Sequence, residues 1–125
     1  MIKLRTTQIN LYKCFHPLMT NTFEMEAFLE SLVDFIGMTV ISEDLVKQRN
    51  PHAFVFNPSD KVIEDHGISG FVMLVESHIA IHSWPTLQFL NIVITSCKEY
   101  SPLDTAKFVS EYCNTNIYLF DSFEI

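Results

Sequence analysis

The hydrophobic period of this chain changes along its length. Residues 5–12 alternate, with Ile9 and Leu11 on one side and Gln8, Asn10 and Tyr12 on the other, which is the two-residue period of a half-buried strand. From Asn21 onward the apolar positions Met25, Phe28, Leu29, Leu32, Phe35 and Ile36 recur at helical spacing. Cap-type Asn21 and Thr22 precede them, acidic Glu24 and Glu26 occupy the first turn and Gly37 closes the run, so an amphipathic helix is predicted over 21–37. A short strand is expected at 39–42. Between residues 43 and 66 the pattern breaks up, because Asn50-Pro51 and Asn57-Pro58-Ser59-Asp60 are turn chemistry around one apolar run at 53–56. That run reads as a strand-like piece in a long connection. After Gly67-Ile68-Ser69-Gly70, three closely spaced strands are expected at 71–75, 79–84 and 89–96, forming the centre of a sheet. Ser101-Pro102-Leu103-Asp104 is a helix start with proline at the first helical position, and Ala106, Phe108, Val109 and Tyr112 give that helix an apolar face to about Cys113. An edge-like strand at 116–120 follows.

Two helices among mostly antiparallel strands predict an α+β fold, a two-layer sandwich with both helices on one sheet face. Alternation turns Leu90, Ile92 and Ile94 one way along their strand, and Ile79 and Ile81 match them on the preceding one. These residues belong under the helices. His82, Trp84, Asn91 and Cys97 are thereby collected on the uncovered face, and a face carrying an aromatic ring, an imidazole and a thiol is expected to be covered by a ligand or a second copy.

Composition narrows the function classes. A length of 125 residues, 48% of them hydrophobic and 18% charged, fits one domain spanning 1–125. Fifteen acidic against eight basic residues give a net charge of −7, which leaves little with which to neutralise nucleic-acid phosphates and suits a cationic substrate better. Cys14, Cys97 and Cys113 are odd in number with no short spacing, which argues against a disulfide framework or a zinc ribbon and for reduced thiols in the cytoplasm. The first residues contain no apolar run like that of a signal peptide, and no stretch reaches the length of a membrane span. His78 and His82 share a strand face, but no third ligand stands near them in sequence, so no metal site is expected.

Singly, the polar residues have ordinary explanations. Glu76-Ser77-His78 suits a hairpin turn, Cys97 a small buried hydrophobe and Trp84 a core position. Together, Gly67-Ile68-Ser69-Gly70, then Glu76-Ser77-His78-Ile79-Ala80-Ile81-His82-Ser83-Trp84-Pro85, then Cys97 closely resemble the core of bacterial and archaeal S-adenosylmethionine decarboxylases, small pyruvoyl enzymes of polyamine synthesis. The resemblance implies self-cleavage between Glu76 and Ser77 into residues 1–76 and 77–125. The serine hydroxyl attacks the preceding carbonyl, the resulting ester undergoes β-elimination, and Ser77 becomes a pyruvoyl group that holds the substrate amine as a Schiff base. Ser69 and His82 match the family's processing residues, His82 as the base. Cys97 matches the acid that reprotonates the product carbon, a role suited to a thiol. Trp84 and Glu76 match substrate-binding positions. The cofactor is thus the pyruvoyl group from Ser77, without a metal. The expected partner is a second copy, in a homodimer of cleaved protomers with a four-layer αββα arrangement.

The chain also departs from the family pattern. Thr86 stands where an acidic residue commonly holds the ribose hydroxyls, Ile63 where an aromatic residue stacks on adenine, and Leu87-Gln88-Phe89-Leu90-Asn91-Ile92-Val93 replaces a tyrosine-glycine-tyrosine and alanine-rich stretch. Decarboxylation of S-adenosylmethionine is the first reading. A same-fold decarboxylase of ornithine or arginine is the second, with Glu64, Asp65 and His66 available to meet a second amine. A non-catalytic paralogue binding an active partner is the third, and the intact set Ser69, Ser77, His82 and Cys97 counts against it.

Overall fold

The computed structural model describes residues 3–38, the backbone of 53–56, and residues 67–75 and 77–125. Its strands are β1 (Arg5–Tyr12), β2 (Ala53–Phe56), β3 (Ser69–Leu74), β4 (Ser77–Trp84), β5 (Phe89–Ser96) and β6 (Ile117–Glu124). Its helices are α1 (Thr22–Phe35) and α2 (Pro102–Tyr112), and short 3-10 turns occupy Pro17–Met19 and Pro85–Leu87. The six strands among the described residues join one antiparallel sheet in the order β2-β3-β4-β5-β1-β6.

One face of the sheet is mostly apolar and buried. Ile9 and Leu11 of β1, Ile79 and Ile81 of β4, and Leu90, Ile92 and Ile94 of β5 are fully buried. Helix α1 adds Met25, Phe28, Leu29 and Leu32 to this core, and α2 adds Ala106 and Val109. The helices lie side by side over that face, with Phe35 stacked on Phe108 at 4.3 Å and Phe28 edge-on to Tyr112 at 4.9 Å between ring centres. Both helix starts follow from local chemistry. The Asn21 side chain accepts the backbone N–H groups of Phe23 and Glu24, and Ser101 accepts that of Asp104. Two helices packed on one face of an antiparallel sheet make the expected α+β sandwich.

Several boundaries moved. Strand β3 begins at Ser69 rather than 71, and β4 begins at Ser77, so Ser77 and His78 are strand residues and not the centre of a hairpin turn. The reason is pairing: Ser77 stands opposite Leu74 on one side and Ser96 on the other. Strand β6 continues to Glu124 because all eight of its residues pair with β1, whereas in its own sequence polar Asp121 and Ser122 end the apolar run that starts it. The strand expected at 39–42 lies outside the described residues, as do Glu76, Ile63 and the group Glu64, Asp65 and His66.

Candidate active site

The β3–β4 hairpin carries polar side chains at both of its ends. At one end Ser69 and His82 are direct cross-strand partners, and Ser69 Oγ lies 2.8 Å from His82 Nδ1. Both point to the face that the helices leave open. Next along β4, Trp84 is 37% exposed, an unusual degree for the only tryptophan in the chain. It begins a row of rings that runs across three strands: Trp84 to Phe89 at 5.3 Å and Phe89 to Tyr12 at 5.3 Å, with the His82 imidazole 6.1 Å from Trp84. Asn91, opposite His82 on β5, donates from Nδ2 to Asn10 Oδ1 at 2.7 Å.

Ser77 occupies the other end. Its hydroxyl is directed at the Val75 carbonyl, 3.3 Å away, and lies 3.4 Å from Met38 Sδ. Its parity with Ile79 puts its side chain toward the helix-covered face, while His78 faces the open side and stacks on Phe71 at 5.6 Å. Cys97 follows Ser96, the cross-strand partner of Ser77, so backbone register alone brings the thiol-bearing residue beside the serine. The chain bends there because Ser96 Oγ accepts the Lys98 N–H at 2.9 Å, and the Lys98 ammonium meets the Gly37 carbonyl at the end of α1.

Five residues of extended strand separate Ser77 from His82, which is roughly 16 Å. The residues singled out in the sequence therefore form two groups in one chain: Ser77 with Cys97, and Ser69 with His82 and Trp84. His78 and His82 share the open face but stand roughly 13 Å apart, too far to ligate one ion together. The first group places a hydroxyl-bearing and a thiol-bearing residue at neighbouring backbone positions of one strand end. The second offers an imidazole whose Nδ1 is fixed by a hydroxyl, leaving Nε2 for proton transfer beside an aromatic ring.

The strongly perturbed thiols lie outside both groups. Cys14 and Cys113 are buried and hydrogen-bonded to each other. The Cys113 thiol holds Cys14 down to about 7, against the opposing effect of burial, and the His16 backbone N–H helps. The same bond, burial and the neighbouring negative charge push Cys113 far above the ordinary thiol range. Tyr100 is raised by burial, against the hydrogen bond it shares with Thr7 and the charge of Arg5.

Sequence reading missed Ser83, Phe89 and Tyr12. Ser83 carried a usable signal, a hydroxyl on the buried parity of β4 between Ile81 and the strand end. Phe89 and Tyr12 carried none, since nothing in a single sequence aligns Tyr12 with residues near Trp84.

The model of the S-adenosylmethionine decarboxylase family matches residues 5–123. The chain belongs to that family. It is 28% identical over 106 residues to the S-adenosylmethionine decarboxylase proenzyme of Archaeoglobus fulgidus, covering 85% of this chain and 81% of that one. A segment of 47 residues is 36% identical to the arginine decarboxylase proenzyme of Pyrobaculum arsenaticum, covering 37% of this chain and 35% of that one. The adenosylmethionine decarboxylase structure from Aquifex aeolicus superposes with a TM-score of 0.69 over 98% of this chain and 88% of that one at 22% identity, which establishes the shared fold. The family is one of pyruvoyl-dependent carboxy-lyases made as proenzymes. No described helix is long and apolar enough to cross a membrane.

Proposed function

We propose that this chain is a proenzyme that cleaves itself between Glu76 and Ser77, and that the product decarboxylates S-adenosylmethionine to the aminopropyl donor for spermidine. The observation that carries this reading is the register of β4 on β5, which sets Cys97 one residue beyond the partner of Ser77. A pyruvoyl group at Ser77 fits that surrounding, and it supplies a conjugated carbonyl that accepts the electrons released as carbon dioxide leaves. The Cys97 thiol then delivers a proton to the product carbon. Trp84 offers an exposed indole face for the purine, and Glu76 meets the substrate beside the cleaved bond.

Processing needs a base near Ser77 and a donor for the oxyanion of the attacked carbonyl. Ser69 and His82 suit both tasks, but at roughly 16 Å they are far beyond proton-transfer reach within one chain. A second copy supplies them. In a homodimer whose open sheet faces meet, giving four layers, αββα, the Ser69–His82 pair of one protomer stands against the strand end that carries Ser77 and Cys97 in the other, and the Ser77 hydroxyl, which faces the helices in this structure, must turn to the open face for processing to begin. The exposed Phe71, Met73, Val75 and Trp84 on that face are consistent with its being covered. The protein is read as a cytoplasmic dimer of cleaved protomers with a small-molecule substrate, no metal, and no nucleic-acid or membrane partner.

One observation favours a second substrate. Thr86 is exposed in the turn after Trp84, where a ribose-binding carboxylate is expected, and the Pyrobaculum relative is an arginine decarboxylase. Carbon dioxide release from S-adenosylmethionine, ornithine and arginine in parallel decides between them. Turnover of S-adenosylmethionine alone supports the proposal; turnover of a basic amino acid alone replaces it with the second reading; and turnover of none by a cleaved protein removes both.

A further inference from the structure

We infer that Ser83 is a positioning residue for self-processing: its buried hydroxyl fixes the contact between Ser69 and His82. The inference rests on the proposed self-cleavage and adds a residue to it. Ser83 directly follows His82, and Ile68 directly precedes Ser69. Both backbone groups of Ile68 end on Ser83. The Ile68 N–H donates to Ser83 Oγ at 2.9 Å, and the Ser83 N–H donates to the Ile68 carbonyl at 2.9 Å. The hydroxyl proton goes to the Met19 carbonyl at 2.8 Å, which ties the hairpin end to the 3-10 turn at Pro17–Met19. One hydroxyl therefore links three chain segments, immediately beside the Ser69–His82 pair.

The fit around this staple is tight. Ser83 and Ile68 are both buried, so neither the Ile68 N–H nor the Met19 carbonyl finds water in compensation if the hydroxyl is removed. At Gly67 a Cβ would lie 2.0 Å from the Ser83 carbonyl oxygen, so the chain approaches too closely for any side chain there. Ser69 and His82 themselves lie at the surface, where a single hydrogen bond between side chains is held only as well as its backbone supports. A hydroxyl on the helix side of β4 thus orders a contact on the opposite side, because neighbouring strand residues share one backbone. A shift of a fraction of an ångström in residues 68 and 83 would be felt directly by the 2.8 Å bond between Ser69 and His82.

The test uses the full-length protein. Ser83→Ala and Ser83→Val should process about tenfold more slowly than wild type, while Ser83→Thr, which retains the hydroxyl, should process close to the wild-type rate. The double variant Ser69→Ala/Ser83→Ala should be no slower than Ser69→Ala alone, since both act through one contact. A purely structural defect would multiply the two losses. A second readout does not need cleavage: in a Ser77→Ala background, the nitrogen-15 shift of His82 Nδ1 should move on Ser83→Ala and return on Ser83→Thr. If wild-type protein cleaves and Ser83→Ala keeps pace with it, or the losses multiply, the positioning role is wrong while the proposed function stands. If wild-type protein does not cleave, the proposed function fails and the His82 signal alone decides the role of Ser83, an unmoved signal overturning it.

Discussion

Ser69 and His82 meet across β3 and β4 with Oγ 2.8 Å from Nδ1, at the opposite end of the hairpin from Ser77. The proposed site needs all three, and the proposed dimer supplies them from two chains. Neither Ser77→Ala nor His82→Ala should cleave when expressed alone. Co-expressed, they form a mixed dimer in which one site carries both changes and the other carries none. The His82→Ala chain, which keeps Ser77, should then be cleaved, and mass spectrometry of the mixture identifies it. Absence of cleaved His82→Ala chain in a demonstrated mixed dimer would place the processing residues in one protomer.

In the proposed reaction Cys97 is not required to form the ester, only to return a proton to the product. Cys97→Ala should still cleave, at least partly, and lose about a hundredfold to ten-thousandfold in decarboxylation. Cys97→Ser should also retain more processing than turnover, because a hydroxyl is a far poorer proton source. Single-turnover assays on purified cleaved protein separate the two effects. Equal losses of both would assign Cys97 to processing.

Gly67→Ala should be among the most damaging small changes to this fold. The added methyl meets the Ser83 carbonyl at 2.0 Å, and both are backbone-fixed, so the hairpin must shift. A destabilisation of about 1–3 kcal/mol is expected, measured by urea unfolding, together with slowed processing. An unchanged unfolding midpoint would show that the chain relaxes there freely.

The buried thiol pair predicts a pH dependence of stability. Cys14 is depressed from the ordinary 9.0 to about 7, so its contribution is full above pH 9 and is lost as pH falls through 7. Cys113 is raised, so the folded state retains a proton that the unfolded chain releases above pH 9, and stability falls there. Relative to Cys14→Ala/Cys113→Ala, wild-type stability should rise between pH 7 and 9 and decline beyond, read from urea midpoints across that range. A flat difference would show that the pair does not share its proton as described.

Much of this architecture is legible in the sequence. The alternation of Ile79, Ile81, Leu90, Ile92 and Ile94 identified the buried sheet face, and Asn21 and Ser101 marked both helix starts. The start of β4 was not legible, because Glu76-Ser77-His78 has turn-like polarity while its pairing partners, Leu74 and Ser96, lie on other strands. For the same reason sequence spacing hid the division of the candidate site. Ser69 and His82 are thirteen residues apart yet in contact, whereas Ser77 and His82 are five apart and lie at opposite ends of one strand. Sequence separation measures reach along a helix or a turn, but along an extended strand it measures distance.

The central claim is that Ser77 becomes a new blocked terminus. Intact mass spectrometry of purified wild-type protein, beside Ser77→Ala, tests it most directly. Two fragments corresponding to residues 1–76 and 77–125 are expected from wild type, the second lighter than its unmodified sequence by one ammonia, because the ketone oxygen gained from water replaces the hydroxyl oxygen left on the new carboxylate, and a single uncut chain from Ser77→Ala. A wild-type protein that retains its full mass after prolonged incubation as a verified dimer would contradict the account.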